Sequence, residues 1–267
     1  MRFWVFPLFL VIFNQIQVLK ETKPSWFYLL LLILSGEAIF ILPFVLPRVF
    51  RPTVLDVLEL DNVQMGLCFS VYGLVAMVSY VLGGPLADKY QPRTLGGFLF
   101  AQYPDFWVLQ VLYGWWGFTT IFLFWAPMIK ATRIWGGADS QGKAFGFLDG
   151  GRGLTGALFG LMGVVVFSFF LLESPEIATL QDRKDAFTYV LYFSSVIIIL
   201  VGVLVWFFMK TSDNDDKVIR NRISWADIKQ VLKLPSVWLL MVIILCGYVG
   251  YKITDVISQY AEEVMLY

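Results

Sequence analysis

Histidine is absent from the 267 residues, and charged side chains make up only 15% of them. Without histidine there is no Ser-His-Asp triad, no imidazole general base and no histidine metal ligand. The two cysteines, Cys68 and Cys246, both fall in apolar stretches. That is too few for a disulfide framework or a thiolate cluster, and they read as small packed hydrophobes. Lys plus Arg and Asp plus Glu balance at 20 each, so the chain has no basic excess with which to hold nucleic acid. Nothing in this composition points to an enzyme, a metal or a cofactor. The shortage of charge also excludes a soluble globule, because 58% hydrophobic and 18% aromatic residues leave too little polar surface to cover one. The chain reads as an all-α, multi-pass membrane protein whose main partner is the lipid bilayer.

A bilayer core needs about 20 mostly apolar residues in a helix. Six stretches meet this: 26–46, 65–83, 106–128, 145–172, 187–209 and 237–261. A seventh, 94–103, is apolar but reaches only about 15 Å at the helical rise. It is a shortened third helix or a re-entrant hairpin. Loop charge favours two crossings between Thr94 and Met128, since short cytoplasmic loops collect Lys and Arg. With two crossings, Lys89, Arg93, Lys130, Arg133, Lys143, Lys210, Lys217, Arg220, Arg222, Lys229 and Lys233 share one side. Asp56, Glu59, Asp61, Asp105, Glu173, Glu176, Asp182 and Asp185 lie opposite, with Arg48, Arg51, Arg183 and Lys184. A single crossing scatters the basic loops over both faces.

Residues 1–24 carry an apolar run too short to span, lack a small-residue cleavage pattern and read as a cytoplasmic extension. Residues 25–209 form a six-helix bundle, 210–234 a polar cytoplasmic linker, and 235–267 a seventh helix that begins a second bundle.

Between the second and third spans stands Gly84-Pro-Leu-Ala-Asp88-Lys89-Tyr-Gln-Pro92-Arg93. Its Gly-x-Leu-x-Asp-(Lys/Arg)-x-x-x-(Arg/Lys) pattern resembles the helix 2 to helix 3 loop of the major facilitator superfamily. Trp125-Ala-Pro127-Met-Ile-Lys130, Trp135, Gly142-Lys143-Ala-Phe-Gly146 and Asp149-Gly-Gly-Arg152-Gly153 are similar to that superfamily's helix 4 to helix 5 region. Tyr251-Lys252-Ile-Thr-Asp255 with Gln259-Tyr260 is similar to its seventh helix. The Gln91-Pro92-Arg93 ending resembles the sugar-phosphate permease branch, which exchanges organophosphates for phosphate.

The resemblance implies two six-helix bundles, a solute site near the midplane between them, and a latch made of Gly84, Asp88, Lys89 and Arg93 that holds one conformational state. It also implies that the sequence is a partial reading frame whose second bundle is missing. At the positions where the branch grips phosphate esters this chain has Val45, Tyr80, Arg152 and Gly250, with Lys252 two residues on. Phosphate ester transport therefore does not carry over residue by residue.

A charge inside a membrane costs several kcal/mol unless paired or wetted. Glu37, Asp149, Arg152, Lys252 and Asp255 stand within or at the edge of predicted spans, and the last four form two pairs at i and i+3. Arg152 and Lys252 are expected to bind an anionic solute, with Tyr251 beside them, Glu37 to carry a coupling proton, and Asp149 and Asp255 to tune the cations. The plainer reading is two buried ion pairs that set packing and a neutral, hydrogen-bonded Glu37. Arg48 and Arg51 read as interfacial anchors, and Trp115, Trp116 and Trp206 as packing or interface aromatics. Gly146, Gly150, Gly153, Gly156 and Gly160 would let another helix approach the fifth span closely.

The function expected is a secondary active transporter of a small hydrophilic, anionic solute in the inner membrane, with the amino terminus cytoplasmic. A coupling proton or an exchanged anion would accompany the solute. The alternative from another class is a seven-helix retinal protein with Lys252 as its Schiff base and Asp255 as counter-ion; it leaves the charged turn and the glycine-rich helix without a role.

Overall fold

The computed structural model describes residues 25–82, 100–137, 139–171, 177–208, 230 and 232–265. These residues are helical with short turns and contain no strand. The chain is an all-α membrane protein. In hydrocarbon every backbone N–H and C=O must be satisfied within its own segment, and a helix does this. The residues of the charged turn, with Gly84, Asp88, Lys89 and Arg93, lie outside the described part, as do the amino-terminal extension, most of the linker and residues 94–99 of the short third span.

Helix α1 (Trp26–Ala38) opens on Ser25, whose hydroxyl accepts from the Phe27 N–H at 3.1 Å. It continues through a π-helical stretch, Ile41–Val45, into α2 (Leu46–Val49), and the run bends by 48°. Pro43 lies in that stretch and cannot donate to the ladder, which accounts for the bend. Tyr113, wholly buried on a neighbouring helix, donates its hydroxyl to the Pro43 carbonyl at 3.0 Å. Next come α3 (Arg51–Val57), α4 (Asn62–Leu82), α5 (Phe106–Phe118), a second π stretch (Thr119–Trp125) and α6 (Ala126–Gly136). Helix α6 stops at Gly137, whose φ of 59° a side chain would oppose. The long helices α7 (Gln141–Phe170) and α8 (Leu180–Phe208) follow, then α9 (Pro235–Lys252), a 3-10 turn (Ile253–Val256) and α10 (Ile257–Glu263).

Four helical segments among the described residues are long and apolar enough to cross a membrane, or five with the bent Trp26–Val49 run. The expected span at 106–128 is instead α5, the π stretch and α6 in succession. Contacts define two ends. At one, Trp135 donates to the Ser25 carbonyl at 3.3 Å, Trp26 packs edge-on to Trp135 and Phe147, and Phe27 meets Phe208. At the other, Phe50 meets Phe167 and Phe187, and Arg183 pairs with Asp56 at 3.3 Å. Tyr103 also belongs to this second end, bonding the Lys184 carbonyl and the Thr188 hydroxyl at 2.9 and 2.8 Å.

Helices α4 and α5 run parallel: Phe69 meets Tyr113, and Tyr72 pairs with Thr120 at 2.6 Å. Both start at the Phe50 end, so Leu82 and Phe100 lie at opposite ends of the bundle. Helices α1 and α7 are also parallel, and α8 runs antiparallel to α1. A core around Leu46, Phe50, Cys68, Tyr113 and Phe187 fills the Phe50 half, and a smaller one around Leu31, Phe124, Met128 and Leu148 fills the Ser25 half.

Tyr103→Phe removes two hydrogen bonds at a junction with α8. A loss of about 1 kcal/mol is expected, read as a lower melting temperature of the solubilised protein.

Candidate functional site

Arg152 projects from α7 to the middle of the helix 1 run. Its Nη2 lies 3.3 Å from Glu37 Oε2, its Nη1 3.6 Å from Asp149 Oδ1, and its Nε donates to the Gly36 carbonyl at 3.3 Å. The guanidinium lies 5.0 Å from the Trp125 ring centroid and 5.4 Å from that of Phe40, within cation–π range. Two glycines make room for this group. A Cβ at Gly36 would stand 2.8 Å from Met128 Sδ and 3.1 Å from Arg152 Cδ, and one at Gly156 would stand 2.7 Å from Glu37 Oε1. Parallel helices approach where side chains are missing, and the charged pair occupies that space. Glu37 and Arg152 are mostly buried, at 13% and 17% side-chain exposure, whereas Asp149 is 68% exposed.

A second group sits nearer the Phe50 end. Asp255, 5% exposed, accepts from Arg48 Nε at 2.7 Å and pairs through its other oxygen with Lys252. Arg48 also donates to the Tyr251 hydroxyl at 2.5 Å, and its guanidinium lies 4.5 Å from that ring's centroid. The Lys252 ammonium faces Phe69 at 4.5 Å and Phe44 at 5.4 Å. Arg51, buried at 5% exposure, bonds amide oxygens of Asn62 at 2.8 and 3.1 Å and of Gln259 at 3.1 Å. It has no ion pair among the described residues. Burial lowers its pKa from the ordinary arginine value, while the Asp255 charge and Tyr113 oppose that shift.

The six expected solute-site residues thus form two groups at different depths. Glu37, Asp149 and Arg152 come together midway along helix 1; Tyr251, Lys252 and Asp255 meet Arg48, eleven positions further on. Both i,i+3 pairs form as their spacing implied. Glu37 has no sequence neighbour to pair with and finds Arg152 across the helix interface. Arg48 and Arg51 are the residues that sequence reasoning misplaced. They do not snorkel as anchors but are tied to the carboxy-terminal helix, through partners 207 and 208 positions away. The available signal was weak: a cation directly after Pro47 at the end of an apolar run.

Two curated relatives are similar to this chain. The inner membrane protein YqcE of Escherichia coli strain K12 is 27% identical over 254 residues, 89% of this chain and 57% of its own length. The inner membrane protein YihN of the same strain is 26% identical over 244 residues, 86% of this chain and 55% of its own length. The chain therefore spans about half the length of the curated relatives it matches. No protein-family model and no solved structure matches it.

Proposed function

We propose that this multi-pass membrane protein is part of a secondary active transporter, of major facilitator type, that carries a small hydrophilic anion across an inner membrane by alternating access. The observation that carries the reading is the Arg152–Glu37 pair, mostly buried between two parallel helices at mid-span beside two aromatic rings. A guanidinium at that depth is expensive and is normally kept where it acts. An anion entering beside Phe40 and Trp125 would compete with the Glu37 carboxylate for Arg152. A proton delivered to Glu37 would settle that competition in the anion's favour, which gives a physical route to coupling.

The names of the two relatives support an inner membrane location. Their greater length leaves room for a second bundle. Lys130, Arg133 and Lys143 gather toward the Ser25 end, and Asp56, Asp61, Asp105 and Asp185 toward the Phe50 end. On this reading the positive-inside rule would have the Ser25 end face the cytoplasm.

Counterflow in proteoliposomes holding the purified full-length transporter, with its second bundle, tests the proposal. Vesicles preloaded in turn with inorganic phosphate, phosphate monoesters, dicarboxylates and sugar acids are expected to accumulate labelled anion in at least one case. Neutral sugars should exchange with nothing. Accumulation of neutral sugars as fast as of any anion would overturn the anionic assignment, and no accumulation of any solute would overturn transport.

A further inference from the structure

A row of aromatic rings joins the two cationic groups. Ring centroids of Trp125 and Phe40 lie 6.1 Å apart, those of Phe40 and Phe44 6.0 Å, and those of Phe44 and Phe69 5.5 Å. The Arg152 guanidinium stands over the first two rings and the Lys252 ammonium over the last two. All four rings are only partly buried, whereas the packing rings Tyr113, Phe124 and Phe187 are closed in on every side. Their backbone setting is also unusual. Phe40 caps the first π stretch, Phe44 lies inside it and Trp125 ends the second. Such stretches inside α-helices occur mostly at functional sites.

We infer that this row is a platform for the uncharged body of the solute, and that the body is an aromatic ring: the substrate class is an aryl carboxylate. The inference rests on the transporter reading and deepens it, naming what is attached to the anionic group that Arg152 takes. A sugar also lies flat on aromatic rings, but each of its hydroxyls needs a partner. Helix 1 offers none between Glu37 and Arg48, because every side chain from Ala38 to Pro47 is a hydrocarbon. On α4, which supplies Phe69, the Ser70 and Ser79 hydroxyls donate to carbonyls of their own helix at 2.9 and 2.7 Å. The Tyr72 hydroxyl is shared with Thr120 at 2.6 Å. A hydroxyl buried in such surroundings without a partner is penalised, whereas an aryl ring needs only faces and edges to meet. Aromatic pairs form at centroid separations of about 4.5 to 7 Å, the spacing that already runs through the row. Phe40 also sets how close charge and ring must be in the solute. Its ring lies under the Arg152 guanidinium and next to Phe44, so the anionic group and the ring are recognised by adjoining groups. A carboxylate borne directly on the ring fits that arrangement.

Calorimetric titration of the full-length transporter in nanodiscs with benzoate, cyclohexanecarboxylate and gluconate tests the platform. All three are monocarboxylates, and cyclohexanecarboxylate keeps the size and apolarity of benzoate but lacks its π faces. Benzoate is expected to bind roughly tenfold more tightly than either, since each aromatic contact contributes about two- to tenfold. Phe40→Leu and Phe44→Leu should each bring benzoate down toward cyclohexanecarboxylate and leave cyclohexanecarboxylate itself unchanged. The comparison of ligands on the parent needs no variant to fold. Equal affinity for benzoate and cyclohexanecarboxylate, or tighter binding of gluconate than of benzoate, overturns the aryl platform. A benzoate preference that survives both leucine variants undiminished overturns it as well. If benzoate fails in these ways while phosphate or a sugar acid accumulates in counterflow, the aryl assignment falls and the transporter reading stands. Selective benzoate binding by a protein that moves no solute in counterflow, benzoate included, retains the platform and overturns transport.

Discussion

Arg152→Ala is expected to destabilise the solubilised protein by about 3 to 5 kcal/mol and to abolish anion counterflow, whereas Glu37→Gln should cost markedly less. The asymmetry follows from what each partner keeps. Without Arg152, Glu37 loses its one ion pair among the described residues and stands against Gly156 as an unpaired carboxylate, or takes a proton. Without the Glu37 charge, Arg152 still has Asp149 at 3.6 Å, the Gly36 carbonyl and the faces of Phe40 and Trp125. The double variant, Arg152→Ala with Glu37→Gln, is expected to recover much of the stability lost in Arg152→Ala, with a coupling of about 1 to 3 kcal/mol between the sites. It should recover none of the transport. Melting temperature and counterflow measured on the four proteins decide between a solute contact and a packing pair. A double variant that regained transport along with stability would show that the charges only hold the helices together.

The sequence disclosed what depends on neighbours along the chain. Apolar run lengths gave the four or five membrane-crossing helices found among the described residues, since a helix crossing hydrocarbon has a minimum length. Spacing gave the two i,i+3 pairs, because residues three apart share a helix face. Loop charge gave an expected parity of crossings, whose short third span lies mostly outside the described residues. What stayed hidden was set by contacts across helices. Nothing near Glu37 announces Arg152, which lies 115 positions later, and nothing near Arg48 announces Asp255. An arginine closing an apolar run has the same sequence signature whether it reaches for water or for a carboxylate on another helix. The bend of the Trp26–Val49 run at Pro43 was not read from the sequence, nor was the Tyr113 hydroxyl that donates to the Pro43 carbonyl. The glycines divide in the same way. Those facing α1, such as Gly151 and Gly156, have atoms waiting where a Cβ would go, and those at 146, 150 and 153 face open space. The spacing of glycines along one helix cannot distinguish these two sets.

Gly117→Ala is the substitution expected to damage the bundle most without touching a charge. A Cβ there would stand 2.5 Å from the Tyr72 carbonyl oxygen and 3.2 Å from Tyr72 Cα. The obstacle is backbone, so no rotamer change relieves it, and α4 and α5 must move apart. Separation would also strain the Tyr72–Thr120 hydrogen bond of 2.6 Å and the contact of Phe69 with Tyr113. A loss of about 2 to 3 kcal/mol is expected, toward the upper end for overpacking. Two other glycines calibrate it. At Gly151 the nearest atoms are Ile33 Cδ1 at 2.6 Å and Cγ1 and Cγ2 at 3.0 Å, all side chain rather than backbone, so Gly151→Ala should cost less than Gly117→Ala. At Gly153 nothing lies within 4 Å, and alanine there should be neutral or stabilising by up to about 1 kcal/mol, because it is the better helix former. The order of melting temperatures should therefore be Gly153→Ala highest, Gly151→Ala next and Gly117→Ala lowest. If Gly117→Ala melted with the parent, the close parallel approach of α4 and α5 would be wrong.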